Sequence, residues 1–145
     1  MKLLLTAALS ILLWGCAGFQ APPPAGFAEY KGRLVYRAVN PGGVVYRVKT
    51  TDNEPYAELK FWREAMISRM KDAGYKVIDT TAISISGKQG ALLEMAAPIG
   101  NLDYSYLAAI VPGKKKILIA EASGKVKDLQ ACRQQLVDAM KGISF

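Results

Sequence analysis

Cys16 and Cys132 are the two thiols of this chain, and Cys16, shortly after an uncharged apolar run, is the one whose setting suits covalent modification. A thiolate can be alkylated while the amino group of the same residue stays free. Other nucleophilic and metal chemistry is sharply limited. The 145 residues include no histidine, which excludes Ser-His-Asp and Cys-His arrangements, histidine-containing zinc sites and histidine acid–base catalysis. Two cysteines build neither a disulfide framework nor a four-cysteine zinc site. No GxxxxGK[ST], GxGxxG or GxSxG motif occurs, and Gly87-Lys88-Gln89-Gly90 reads as turn chemistry. Acidic residues are scattered, so nothing in the spacing supports a glycosidase pair such as Glu94 with Asp103, and Asp52-Asn53-Glu54 suits a helix cap better than calcium. No catalytic residue, metal or cofactor is therefore assigned, and no enzyme activity is expected.

What remains is charge and one aromatic. Lys and Arg total 19 against 12 Asp and Glu, a net charge of +7. Arg33, Arg37, Arg47 and Lys49 fall on one face of a predicted hairpin, and Lys114-Lys115-Lys116 fall in a predicted turn. Both groups are candidate contacts for an anionic surface, and each has a plainer reading as a solvated edge that discourages strand pairing. Phe61 lies on the polar side of a predicted helix, as a partner contact or covered by a neighbouring loop.

Met1-Lys2 followed by the uncharged run Leu3 to Leu13 has the form of a signal peptide. Roughly 20 apolar residues are needed to span a bilayer, and this run is shorter. Leu13-Trp14-Gly15-Cys16 then resembles the lipobox of bacterial lipoproteins, with Trp14 where a small residue is usual. The resemblance implies cleavage after Gly15, a diacylglyceryl thioether on Cys16 and acylation of its amino group. Several acyl chains on one residue make a stable anchor. With Ala17 rather than Asp next, it also implies the outer membrane, facing the periplasm, in a cell with two membranes. The other readings are an ordinary secretory signal or a buried first element. A nucleic-acid partner is not expected of an exported protein.

The remaining pattern describes the elements that position these residues. The composition, 51% hydrophobic and 21% charged, is that of one globular domain. Residues 1–15 are expected to be leader, 16–28 lipidated cysteine and proline-rich tether, and 29–145 the domain. Arg33 to Val39 and Val44 to Lys49 alternate with period two around Asn40-Pro41-Gly42-Gly43. A three-residue loop with Gly43 left-handed places Leu34, Tyr36, Ala38, Val44, Tyr46 and Val48 on one face, and the four basic residues on the other. Thr51-Asp52-Asn53-Glu54 has capping-box spacing, Pro55 suits a first turn and Gly74 a helix stop. Between them Leu59, Trp62, Met66, Ile67, Met70 and Ala73 make one apolar stripe. Strands follow over 75–85, 91–97, 104–111 and 116–122, with links short enough for an antiparallel meander. A last helix over 126–140 carries Val126, Leu129, Cys132, Leu136, Val137 and Met140 in its stripe. There Cys132 reads as a small core residue, the alternatives being an intermolecular disulfide or a reactive thiol. Strands apolar on both faces require cover on both sides, so the expected class is α+β, a three-layer α-β-α sandwich.

This order of elements, with Tyr104-Ser105-Tyr106 in the third meander strand and Lys141-Gly142-Ile143-Ser144-Phe145 after the last helix, resembles the PsbP-like fold group, which includes DcrB-like bacterial envelope proteins. The resemblance spans roughly residues 27–145 and implies an accessory, binding or assembly role without a shared catalytic motif. The expectation is a membrane-anchored, non-catalytic module for an envelope protein or an anionic glycan or lipid. The alternative is a small-ligand carrier, or an enzyme working without histidine, with a pocket between helix and sheet at Tyr104 or Tyr106.

Overall fold

A computed structural model of the chain describes residues 18–30, 32, 34–100 and 102–145; the expected leader, Cys16 and Arg33 lie outside them. Strands β1 (Ala28–Tyr30), β2 (Tyr36–Val39) and β3 (Val45–Asp52) precede helix α1 (Leu59–Asp72). Strands β4 (Lys76–Ile85), β5 (Lys88–Ile99), β6 (Leu102–Pro112) and β7 (Lys116–Lys125) follow, then helices α2 (Val126–Ala131) and α3 (Arg133–Lys141). All seven strands form one sheet in the order β1-β2-β3-β7-β6-β5-β4, every adjacent pair antiparallel.

The hairpin adopts the expected register. Ala38 opposes Tyr46, Val39 opposes Val45, and Gly43 closes the loop with φ +81°. Asn40 fixes the turn from both sides, its N–H donating to the Val44 carbonyl at 3.1 Å and its side-chain oxygen accepting from the Val44 N–H at 2.9 Å. Ala38, Val44, Tyr46 and Val48 are buried, and Arg37 opposes Arg47 on the other face. Leu34 departs from the expected pattern: it precedes the first residue of β2 and is 76% exposed.

Three further expectations are corrected. First, the proline-rich stretch is not a free spacer from residue 18 onward. Phe19, Ala21 and Phe27 pack against the main core, Pro24 is buried, Gln20 bridges Ser144, and β1 adds an edge strand to β2. Such a segment has little backbone freedom to lose, so burying two phenylalanines is enough to dock it. Second, α1 begins at Leu59, not at the capping-box spacing. Thr51 and Asp52 pair with Ile117 and Lys116 of β7, so they complete β3, and no side chain caps α1. Gly74 does terminate the helix, with φ +89° and its N–H on the Lys71 carbonyl, while Ala73 of the expected stripe is exposed. Third, the last helix is two: Cys132, with φ −117°, separates α2 from α3, and Val126 is 38% exposed.

Two helical layers cover the sheet, as its doubly apolar strands require. Leu129, Leu136 and Met140 of α2 and α3 pack on Leu107, Leu118, Ala120 and Ala122. On the opposite face, Trp62, Met66 and Met70 of α1 pack on Ile110, Ile117, Leu93 and Met95. Helix α1 lies over β4, β5 and β6, leaving β3 and the adjacent side of β7 uncovered on that face. The step from covered to uncovered sheet forms a groove.

Candidate functional site

Period-two alternation puts Arg47, Lys49 and Thr51 of β3 on the α1 face, and the β3–β7 register sets them opposite Glu121, Ile119 and Ile117. With Tyr106 and Ile110 from β6 and Trp62, Met66, Arg69 and Met70 from α1, these residues line a cavity of about 400 Å³. One wall is apolar and the β3 side is basic.

Glu121 is the chemical centre of this groove. It is 5% exposed, yet both carboxylate oxygens have partners. Arg47 donates through Nε at 2.6 Å and also forms an ion pair, Tyr106 donates its hydroxyl to the other oxygen, and the Lys49 ammonium stands 3.9 Å away. Tyr106 is held by an edge-on contact with Tyr75, ring centroids 5.6 Å apart. A carboxylate taken from water at this depth is tolerated because its cations and hydroxyl replace the lost hydration. Arg47 and Lys49 remain about two-fifths exposed, so the pair is open to the groove rather than sealed. Lys49 and Arg69 carry positive charge beyond what Glu121 balances.

Asn53 supports the upper wall. Its side-chain oxygen accepts from the Ala57 N–H at 3.0 Å and from the Trp62 indole N–H at 2.8 Å. Its amide donates to the carbonyls of Ala57 at 3.2 Å and Gly113 at 2.8 Å. A residue inside the expected capping box thus ties the loop before α1 to the β6–β7 turn and orients Trp62.

The predicted contacts fall in different places. Arg47 and Lys49 join the groove; Arg37 lies beside Arg47 on β2, exposed. Lys114 and Lys115 are exposed in the β6–β7 turn, and Lys116 forms an ion pair with Asp52. Phe61 is 55% exposed, edge-on to Trp62. Arg33 and Cys16 lie outside the described residues. Glu94 is engaged by Gln130 at 2.8 Å and by Arg133 at 3.2 Å. Cys132 is buried in the core, its thiol against the Asp128 and Leu129 carbonyls, and burial pushes that thiol above its usual pKa. Glu121, Arg69 and the wall role of Trp62 were not foreseen. The one signal for Glu121 was an acid in the middle of a strand otherwise apolar on both faces.

No protein-family model matches the chain, and no curated protein matches it. Its fold, a seven-stranded antiparallel sheet with helices on both faces, is one that it shares with several solved structures. Among solved structures it is similar to LpqN, involved in cell envelope biogenesis of Mycobacterium tuberculosis, at 10% identity over 87% of this chain and 82% of that one, TM-score 0.70. It is also similar to the cyanobacterial PsbP of Synechocystis sp. PCC 6803, at 12% identity over 88% and 86%, TM-score 0.64. A Pseudomonas aeruginosa protein of unknown function, PA94, matches at 13% identity over 80% and 94%, TM-score 0.63. At these identities the likeness establishes a shared fold.

Proposed function

We propose that this protein is a lipid-anchored envelope protein acting as a non-catalytic binding module, whose groove takes the anionic end of an amphiphile. The groove carries the binding role. Lys49 and Arg69 face it over a carboxylate already engaged by Arg47 and Tyr106, and Trp62, Met66, Ile110, Ile117 and Ile119 supply an apolar wall. An acidic headgroup meets the cations while its chain follows the wall. The lipobox-like Leu13-Trp14-Gly15-Cys16 supports the anchor, with the outer membrane facing the periplasm as its place in a two-membrane cell. The fold shared with LpqN, a protein involved in cell envelope biogenesis, is in keeping with it.

Intact-mass measurement of membrane-extracted protein tests the anchor: cleavage before Cys16 with diacylglyceryl and acyl additions is expected, and an unmodified Cys16 or a retained leader refutes it. With Trp14 removed in the leader, Trp62 is the sole tryptophan and reports on the groove. Titration with dodecyl phosphate below its micelle concentration should shift Trp62 emission saturably, and more weakly with uncharged dodecyl maltoside. Lys49→Glu with Arg69→Glu should weaken the phosphate response at least tenfold; an unchanged response rules the site out.

A second reading, a carrier or enzyme acting on a soluble small ligand, draws on the convergence of Tyr106 and Glu121 in the same groove. Turnover is the weaker form of it, because both Glu121 oxygens are already engaged by protein donors. Copurification of a soluble small molecule that Arg69→Glu displaces would favour the carrier.

A further inference from the structure

The N-terminal segment and the lysine turn lie at one end of the sandwich. Gln20 pairs with Ser144, its N–H on the Ser144 carbonyl at 2.8 Å, and the next residue, Phe145, reaches the β6–β7 turn. A methyl group on Gly113 would stand 3.6 Å from the Phe145 ring and 3.7 Å from the Lys88 side chain. Lys88 in turn donates to the Phe145 carbonyl at 2.7 Å and sits 4.4 Å from its ring centroid. Gly113 begins the turn that projects Lys114 and Lys115, both exposed, and exposed Lys141 ends α3 two residues before Ile143. On the other side of the turn, Asn53 bonds both Gly113 and Ala57, bringing in the loop that carries Tyr56, 66% exposed, and the first turn of α1 with Phe61.

We infer that this end of the domain, with Lys114 and Lys115 at its tip and Tyr56 and Phe61 beside them, rests on the anionic headgroups of the membrane that holds the anchor. This rests on the reading of Cys16 as lipidated. Cys16 is three positions before docked Phe19, and three Cα steps span at most about 11 Å, so a lipid on Cys16 holds this end, and no other, against the bilayer. Lysines close to an anionic leaflet are attracted to it, and exposed aromatics beside them suit the headgroup layer. Glu54 and Glu58, on the loop before α1, oppose the attraction, so it rests on the turn rather than on the whole end. The Pro41-Gly42-Gly43 hairpin lies at the far end of β3, roughly 26 Å away by the rise of its eight residues. The groove, between these ends, then opens sideways along the membrane, within reach of amphiphiles leaving it.

The test uses the processed protein, extracted from membranes and reconstituted into vesicles of phosphatidylcholine alone or with phosphatidylglycerol. A fluorophore is attached at Tyr56→Cys or at Pro41→Cys; the buried Cys132 is slow to label. Headgroup nitroxide lipid should quench the probe at residue 56 severalfold more than the probe at residue 41, most strongly with phosphatidylglycerol. Lys114→Gln with Lys115→Gln should remove the phosphatidylglycerol dependence. Equal quenching at the two positions, or no effect of the lysine substitutions, overturns the proposal. If intact mass shows Cys16 unmodified, the anchor reading fails by itself, and the basic end is judged on that unmodified protein by co-sedimentation with phosphatidylglycerol vesicles. There the double substitution should weaken binding about thirtyfold, the value for two lysines at about 1 kcal/mol each, and unchanged binding overturns the proposal.

Discussion

The indole N–H of Trp62 donates to the side-chain oxygen of Asn53 at 2.8 Å, so a buried amide at the end of β3 sets the wall of the groove. Asn53→Ala takes the side-chain acceptor from the Ala57 N–H and leaves the Trp62 indole only its longer bond to the Ala57 carbonyl at 3.2 Å. A loss of about 2–3 kcal/mol in stability is expected, read from the urea midpoint, with a shifted Trp62 emission. A midpoint within experimental error of the parent would show that the loop before α1 is held by other means.

Glu121 and Tyr106 separate folding from binding. Tyr106→Phe removes one donor from a buried carboxylate and should cost about 1.5–3 kcal/mol. Glu121→Gln keeps the shape but removes the negative charge beneath Lys49 and Arg69. Affinity for dodecyl phosphate should rise about tenfold, equivalent to about 1.4 kcal/mol. A fall in affinity would mean that the carboxylate itself binds the ligand.

Stability should decline in alkali because of two tyrosines in edge-on contact, ring centroids 6.0 Å apart. Partial burial, and then the neighbouring Glu29, push Tyr36 up to about 12; Tyr46, fully buried, is pushed higher still. Both are raised above the ordinary value of 10.0, so the folded state holds these protons longer than the unfolded state does. Both contributions are complete below pH 10; that of Tyr36 is lost as pH climbs through about 12, and that of Tyr46 persists to higher pH. Thermal midpoints from pH 9 to 12, with absorbance of tyrosinate, test this. The Tyr46 hydroxyl has no hydrogen-bond partner among the described residues, so Tyr46→Phe should be neutral or stabilising at pH 7, and should soften the alkaline loss.

Gly90 permits the close packing of β5 on β6. A Cβ there would lie 2.5 Å from a methyl of Val111 and 2.7 Å from the Ile110 carbonyl oxygen. Gly90→Ala should destabilise by about 1–3 kcal/mol, the usual cost of overpacking, as measured by urea unfolding. A neutral result would require the β5–β6 pairing to be looser than its register implies.

Cys132 should be unreactive in the native state. Burial raises its thiol pKa, and it packs at the break between α2 and α3. Modification by a bulky maleimide should follow unfolding, becoming fast only in denaturant; rapid native labelling would contradict the core position.

How far local pattern reaches is clearest at β3. Ala38, Tyr46 and Val48 were separable from Arg37, Arg47 and Lys49 by alternation alone, and Gly43 identified the loop length. The same method failed two residues later, because Thr51-Asp52-Asn53-Glu54 satisfies a helix cap locally while β7 supplies a competing partner. A ladder of eight paired positions outweighs one cap, and its partner lies far along the chain. Phe19 and Phe27 were similarly set aside with the proline-rich stretch, since nothing local shows the core surface they cover.

The sequence alone determined which residue types were available, the α+β class, the hairpin register and the two apolar helix faces, because these follow from side-chain periodicity and turn chemistry between near neighbours. The tertiary structure decided that Arg47 meets Glu121, 74 positions away, beneath Tyr106, and that the lysine turn shares an end with the N-terminal segment. Strand order made both decisions: pairing the second edge of β3 with β7 rather than with β4, the next strand in the chain, depends on the burial of the whole sheet, which no local window of residues contains.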